Sequence, residues 1–196
     1  MASANNALRV FFILTVVCAA RAAPAPGGGA KATGGAGESF DITKLGAKSD
    51  GKTDSTKALQ DAWTSACRAT GSATVLIPKG DYLVGPLNFS GPCKAAITIQ
   101  LDGTLLGSND LAKYKSSWIE VSHVENIVIS GAGTLDGQGT TVYPKGKTPM
   151  DYKALPNTLV LFYVTNATVS GIRLLNAKFF HINIDTSKDI TVKDVS

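Results

Sequence analysis

Only two histidines, His123 and His181, occur in the 196 residues. That is too few for most sites that gather several imidazoles. Cysteine is nearly as scarce: Cys18 lies in an apolar N-terminal run, which leaves Cys67 and Cys93. Without histidine partners, that pair is no zinc site, and no metal or other cofactor is expected. Lys and Arg exceed Asp and Glu by only 19 to 15, with no basic stripe, which excludes a nucleic-acid-binding charge pattern. Amphipathic helices are rare too, since one segment alone carries a convincing helical period.

What is present begins with a targeting pattern. In "LRVFFILTVVCAARAA", Arg9 precedes an apolar core from Val10 to Ala20, and Ala20-Arg21-Ala22 supplies small residues around a cleavage point. The core is shorter than the roughly 20 residues of a membrane span. Residues 1–22 therefore read as a secretory signal peptide rather than an anchor, with no membrane association after its removal. "PAPGGGAKATGGAGES" has little to bury, so residues 23–39 read as a flexible Gly/Ala/Pro linker. The folded part then runs from Phe40 to Ser196, one domain's worth of chain. Loss of Arg9 and Arg21 takes the formal charge from 19 − 15 = +4 to 17 − 15 = +2. This mild positive bias is compatible with an acidic substrate. In an oxidising, extracellular compartment, Cys67 and Cys93 are expected to form a disulfide worth about 3 kcal/mol; the alternative is two buried thiols. Two glycosylation sequons begin at Asn88 and Asn166.

In "TDSTKALQDAWTSACRATG", Leu59, Ala62, Trp63, Ala66 and Cys67 share one helical face. Thr53, Asp54 or Ser55 can cap its start, and Gly71 lies just past its end. Everything after it reads as short strands: Val75–Ile77, Tyr82–Val84, the alternating "AITIQL", then "WIEV", "NIVIS", "TLVLFYV", "ATVSGIRLLNA", "FFHINIDTS" and "DITVKDVS". Thr141–Asn157 is a polar, proline-containing excursion.

"NIVISGAGTLDGQG", Asn126–Gly139, poses a choice. As a dinucleotide loop it needs G-x-G-x-x-G opening a helix, but Asp136 stands at the third glycine and the residues after it start a helix poorly. As a coil corner it fits, with glycine supplying positive φ around a short strand at Thr134-Leu135. The strands also repeat. "NIVISG" resembles "NATVSG" at Asn166–Gly171, Thr168-Val169 returns at Thr191-Val192, and Gly-Thr-Leu occurs at residues 103–105 and 133–135. Short strands in a repeat of some twenty residues predict a parallel β-helix capped by the helix at residues 55–68, rather than a β-sandwich with hairpins. No amphipathic segment follows residues 179–196, so the pattern reads as a solenoid truncated at its C-terminal end.

"FDITKLGAKSDGKTDSTKALQDAWTSAC", "VLIPKGDYLVGPLNFSGPC", "QLDGTLLG", "WIEVSHVENIVISGAGTLDGQG" and "LLNAKFFHINI" together resemble the N-terminal portion of plant polygalacturonases, glycoside hydrolase family 28. The likeness is greatest to the exopolygalacturonase type of pollen. The resemblance implies an all-β, right-handed parallel β-helix of the pectin-lyase-like kind. It also implies an inverting hydrolase of α-1,4-galacturonosyl bonds in pectin, monomeric at full length and acting in the cell wall. A rhamnogalacturonan hydrolase fits the "PKGDYLVGPLNFSGPC" block less well. The family's Asn-Thr-Asp, Asp-Asp, Gly-His-Gly and Arg-Ile-Lys motifs are absent from these residues, so no catalytic residue carries over. That absence leaves a secreted, non-catalytic module binding pectin or a partner as the alternative. Among the remaining acids, Asp185, Asp189 and Asp194 lie in strand-like sequence, while Asp102 and Asp136 lie at turns, where aspartates usually bond their own backbone. His123 reads as a coil-surface residue. The resemblance places Lys178 and His181 at the edge of the substrate groove, where a cation suits a sugar carboxylate.

Mass spectrometry of the secreted chain is expected to find its first residue between Arg21 and Pro24; retention of Met1 would make the apolar run an anchor.

Overall fold

A computed structural model describes residues 37–142 and 155–196. The signal-peptide reading, most of the linker and much of the Thr141–Asn157 excursion lie outside the described residues. Within them the chain winds through a repeating set of three strands. β1 (Glu38–Asp41) and β2 (Asp50–Asp54) come first, then α1 (Thr56–Arg68). Four coils follow: β3 (Gly71–Ile77), β4 (Asp81–Val84) and β5 (Leu87–Ser90); β6 (Ala95–Leu101), β7 (Thr104–Gly107) and β8 (Ser117–Ser122); β9 (Glu125–Ser130), β10 (Thr134–Asp136) and β11 (Asn157–Phe162); β12 (Thr165–Ser170), β13 (Arg173–Leu175) and β14 (Ile182–Asp185). β15 (Lys188–Lys193) begins the next turn.

Equivalent strands pair in parallel and form three sheets, ordered β1-β3-β6-β9-β12-β15, β2-β4-β7-β10-β13 and β5-β8-β11-β14. The fold is a right-handed parallel β-helix. The repeats seen in sequence are the register itself. Thr168-Val169 pairs with Thr191-Val192, and Thr104-Leu105 pairs with Thr134-Leu135.

Alternate residues of each strand point inward and stack on their equivalents. Val75, Ile99, Ile129, Val169 and Val192 form one ladder, and Leu87, Ile119, Leu159 and Ile182 another. Burying each large aliphatic residue is worth about 1.5–3 kcal/mol. In the last coil the inward-facing Ile184 and Val192 are 44% and 41% exposed.

α1 stands where the first turn would place its third strand. Its Leu59, Ala62, Trp63 and Ala66 are buried, and Trp63 stacks on Phe89 of β5 with ring centroids 4.7 Å apart. Gln60 satisfies the free edge of β5, because its amide donates to the Asn88 carbonyl and accepts from the Asn88 N–H. An edge strand left bare would offer those groups to another chain. Ser55 occupies the cap position without a side-chain bond to the helix. Instead, Asp54 Oδ1 accepts from the Thr56 N–H at 2.9 Å. The helix ends at Arg68, and its C-cap is Ala69, two residues before Gly71. Cys67 and Cys93 are disulfide-bonded and tie the end of α1 to the link between β5 and β6. β1 takes in Glu38 and Ser39, which composition assigned to the linker; they pair with Ala73 and Thr74.

The corners correct one expectation. Of the glycines at residues 131, 133, 137 and 139, Gly131 alone has a positive φ. The others are small because backbone passes close by. A Cβ on Gly133 would lie 2.3 Å from the Gly103 carbonyl oxygen, and one on Gly139 would lie 2.4 Å from that of Ala177. Gly131 and its equivalent Gly171 carry positive φ after the first sheet, and at two other corners stacked side-chain-bearing residues do so: His123, Tyr163 and Thr186 at one, and Asn126, Asn166 and Asp189 at the other. Asparagine and aspartate tolerate this conformation because the short side chain bonds locally. Here Asn166 Nδ2 donates to Asn126 Oδ1 at 2.7 Å, from one coil to the next.

The residues at 137–141 form no α-helix, only a single 3-10 turn at Gly139–Thr141. The phosphate-loop alternative has no helix N-terminus to stand on.

Gly133→Ala is expected to lower stability by about 1–3 kcal/mol through overpacking against Gly103, whereas Asn126→Gly is expected to change it by less than about 1 kcal/mol, because relief of the left-handed backbone offsets the hydrogen bond lost to Asn166. Urea unfolding of the two variants checks the order.

Candidate functional site

The third sheet positions the candidate site. Residues that alternate with its buried ladders face outward and align across the strands. Asn88, Glu120, Val160 and Asn183 form one row; Ser90, Ser122, Phe162 and Asp185 form the next. At the edge of this face, the His123 and Tyr163 rings lie 5.1 Å apart, and the Phe162 and Tyr163 rings 4.5 Å apart.

The segment from Ser108 to Ser116 joins β7 to β8 and forms a wall. It is anchored from inside. The Tyr114 hydroxyl donates to the Ser108 carbonyl at 2.7 Å, and its ring is buried. Asp110 accepts from the Ala112 N–H, which fixes a short 3-10 turn at Leu111–Lys113. Lys113 pairs with Asp54 at 3.6 Å. Between this wall and β5 lies a cavity of about 360 Å³, with Pro86, Asn88, Lys113, Lys115, Ser117 and Glu120 among its lining. The Ser117 hydroxyl donates to Glu120 Oε2 at 2.8 Å, which orients that carboxylate.

Lys178 reaches the same corner from the fourth coil. It is 3% exposed. Its ammonium donates to the Gly137 carbonyl and sits 5.2 Å from the centre of the Tyr114 ring. A Cβ on Gly107 would lie 3.2 Å from the Gly137 carbonyl oxygen that accepts from Lys178. Burial pushes the Lys178 ammonium down to about 8, against the pull of Asp136 in the other direction. Burial also pushes the Tyr114 hydroxyl up, reinforced by Asp110 and Asp54.

The sequence placed Lys178 and His181 together at a groove edge. His181 is exposed just before β14, aligned with Thr158 on the neighbouring strand. Lys178 has its ammonium inside the stack. Asn88 and Asn166 are both exposed; Asn88 faces the cavity, whereas Asn166 stands in the asparagine stack on another corner. Asp185, Asp189 and Asp194 are exposed, and Asp136 accepts from the Gln138 N–H, as a turn aspartate does. Sequence reasoning missed Lys113, Lys115, Ser117 and Glu120. A trace was present in "AKYKSSWIE", where two lysines flank a tyrosine between strands. Among the described residues no His, Cys, Asp and Glu cluster suits a metal ion.

Lys178 gives a pH signature with a definite sign. Below about 8 both folded and unfolded chains hold its proton. From there to 10.5 the unfolded chain keeps a proton that the folded chain has released, so stability rises with pH through that window. Urea midpoints are expected to increase from pH 7.5 to 9.5, and Lys178→Met is expected to flatten the increase; the Tyr114 contribution, of opposite sign, begins only near pH 10.

Comparison with known proteins matches residues 67–196 to glycosyl hydrolases family 28. An exopolygalacturonase of Zea mays is 54% identical over 202 residues, covering all of this chain and 49% of the maize protein. A polygalacturonase of Gossypium barbadense is 40% identical over 160 residues, covering 80% of this chain and 39% of its own. The chain thus spans about half the length of these relatives. The coils superpose on a hyperthermoactive exopolygalacturonase from Thermotoga maritima with a TM-score of 0.68 at 18% identity, covering 81% of this chain and 46% of that one. A family 28 exopolygalacturonase of Yersinia enterocolitica gives 0.61 at 20% identity, covering 81% and 39%. These two show the fold. The sequence match shows the lineage: the chain belongs to glycosyl hydrolases family 28.

Proposed function

We propose that this chain supplies the N-terminal coils of a secreted cell-wall polygalacturonase, a hydrolase of α-1,4-galacturonosyl bonds in de-esterified pectin. The observation that carries this reading is 54% identity to the maize exopolygalacturonase across the whole of this chain. The outer face of the third sheet supports it, with polar groups, an aromatic cluster and lysines beside it, since acidic sugars call for cations and hydroxyl acceptors. In an inverting mechanism one carboxylic acid protonates the leaving oxygen and a carboxylate opposite activates water. The family's acid motifs do not occur in residues 1–196, so in this reading the catalytic acids lie outside them. His181 then contacts substrate on the fourth coil, and Lys178 holds the wall behind it. Residues 1–22 direct secretion, Asn88 and Asn166 are candidate glycan sites, and the full-length protein acts as a monomer without a cofactor.

A second reading, a secreted module that binds pectin or a partner without cleaving it, is favoured by the absence of all four motifs. One pair of proteins separates the two. The chain alone is expected to be retarded on a polygalacturonate gel and to release no reducing ends. A chimera that continues into the C-terminal half of the maize relative is expected to release them. A folded chimera that leaves polygalacturonate intact would favour the binding module, and cleavage by the chain alone would overturn the placement of the acids.

A further inference from the structure

We infer that the cavity between β5 and the Ser108–Ser116 wall is a subsite for one uronate residue of an acidic polysaccharide. The inference rests on the pectin reading above and extends it to residues that neither the motifs nor the relatives' names assign. At about 360 Å³ the cavity lies within the range of small-molecule sites, about 300–1,000 Å³. Its walls are held in place: Tyr114 by Ser108, Lys113 by Asp54, and the β5 edge by Gln60. Binding therefore has to order chiefly the exposed Lys113 and Lys115 side chains, not the backbone that carries them.

The lining selects the ligand. Lys115 forms no ion pair among the described residues, and Lys113 shares its charge with Asp54. These ammonium groups suit a carboxylate. Glu120, oriented by Ser117, and the Asn88 amide suit sugar hydroxyls, while Pro86 offers an apolar surface to a pyranose ring. Lys113 and Lys115 against Glu120 leave one net positive charge, which one uronate carboxylate matches and a phosphate dianion exceeds, while a neutral sugar would leave the lysines without a counter-charge. The cavity also belongs to the face that bears His181. Three strand steps separate β5 from β14, about 14 Å at the usual strand spacing, so a polymer lying along the stack spans both.

Asn88 lines this cavity and is also a sequon asparagine. A glycan on Asn88 would occupy the space the uronate needs, so the subsite requires Asn88 to be unmodified.

The test is calorimetric titration of the secreted chain with trigalacturonate and, as the uncharged control, galactotriose, alongside mass mapping of the Asn88 peptide. Lys115→Ala is expected to weaken trigalacturonate binding about 10-fold, the scale of one charge-assisted hydrogen bond. Lys115→Arg should recover most of that loss, and Glu120→Gln should weaken binding less than Lys115→Ala does. Both lysine variants alter an exposed side chain, and circular dichroism verifies that they fold. Unchanged binding by Lys115→Ala and by a Lys113→Ala, Lys115→Ala double variant would overturn the subsite and leave the pectin reading standing. Equal affinity for galactotriose, or a glycan on Asn88, would also overturn it. Failure of the unaltered, folded chain to bind trigalacturonate would overturn the subsite, whereas the hydrolase reading stands or falls with the chimera.

Discussion

Everything in this chain depends on coils meeting in register. A parallel β-helix has no hairpins to fix the pairing of its strands, so each coil must present the same inward residues at the same height as the coil before it. A slip of one residue would turn Val169 and Ile129 outward and bring Thr168 and Val128 into the core. Two devices prevent it. The inward ladders reward correct stacking, and the corners repeat the same left-handed backbone at aligned positions. His123, Tyr163 and Thr186 bend the chain as it leaves the third sheet, and Asn126, Asn166 and Asp189 bend it again as it enters the first. Such a conformation costs a residue with a Cβ about 1–2 kcal/mol. The side-chain bond between Asn166 and Asn126 offsets part of that cost and joins two coils at the same time.

Those devices explain which features were legible in the sequence. The alternation in "AITIQL" and the recurrence of "NIVISG" as "NATVSG" are direct images of the ladders, so strand positions and the solenoid could be read. The amphipathic face of α1 was legible for the same reason, because Leu59, Trp63 and Ala66 must cover one end of the core. The corners were only half legible. Glycine was read as a supplier of positive φ, yet Gly133, Gly137 and Gly139 are small because neighbouring carbonyls pass within reach of any Cβ. Contacts between residues about 30 or 40 positions apart leave no local period. For the same reason the wall residues escaped notice. Lys113, Lys115 and Glu120 come together with Asn88 only once β8 lies beside β5.

The candidate site divides its work between rigid and adjustable parts. The floor is sheet, and its outward residues are spaced by strand geometry. The wall is a connection between β7 and β8, fixed by one buried tyrosine, one aspartate cap and one ion pair. Lys178 braces the wall from a later coil, since its ammonium donates to the Gly137 carbonyl and sits beside the Tyr114 ring. The fourth coil thus helps set the shape of a cavity built from the first and second. A binding face assembled in this way gathers chemistry from distant parts of the chain while each strand answers only to its immediate neighbours.

The coils keep their register although they differ in length. The step is 24 residues from Ala73 to Ile97, 30 from Ile97 to Ile127, 40 from Ile127 to Ala167 and 23 from Ala167 to Ile190. In the step from Ile97 to Ile127 the extra residues form the Ser108–Ser116 connection, and the sheets close again at the same height. Within such an architecture, insertion and deletion act as an evolutionary dial. A corner can lengthen, acquire a charge or vanish without shifting the strands on either side. The chemistry of the rim can therefore change at little risk to foldability.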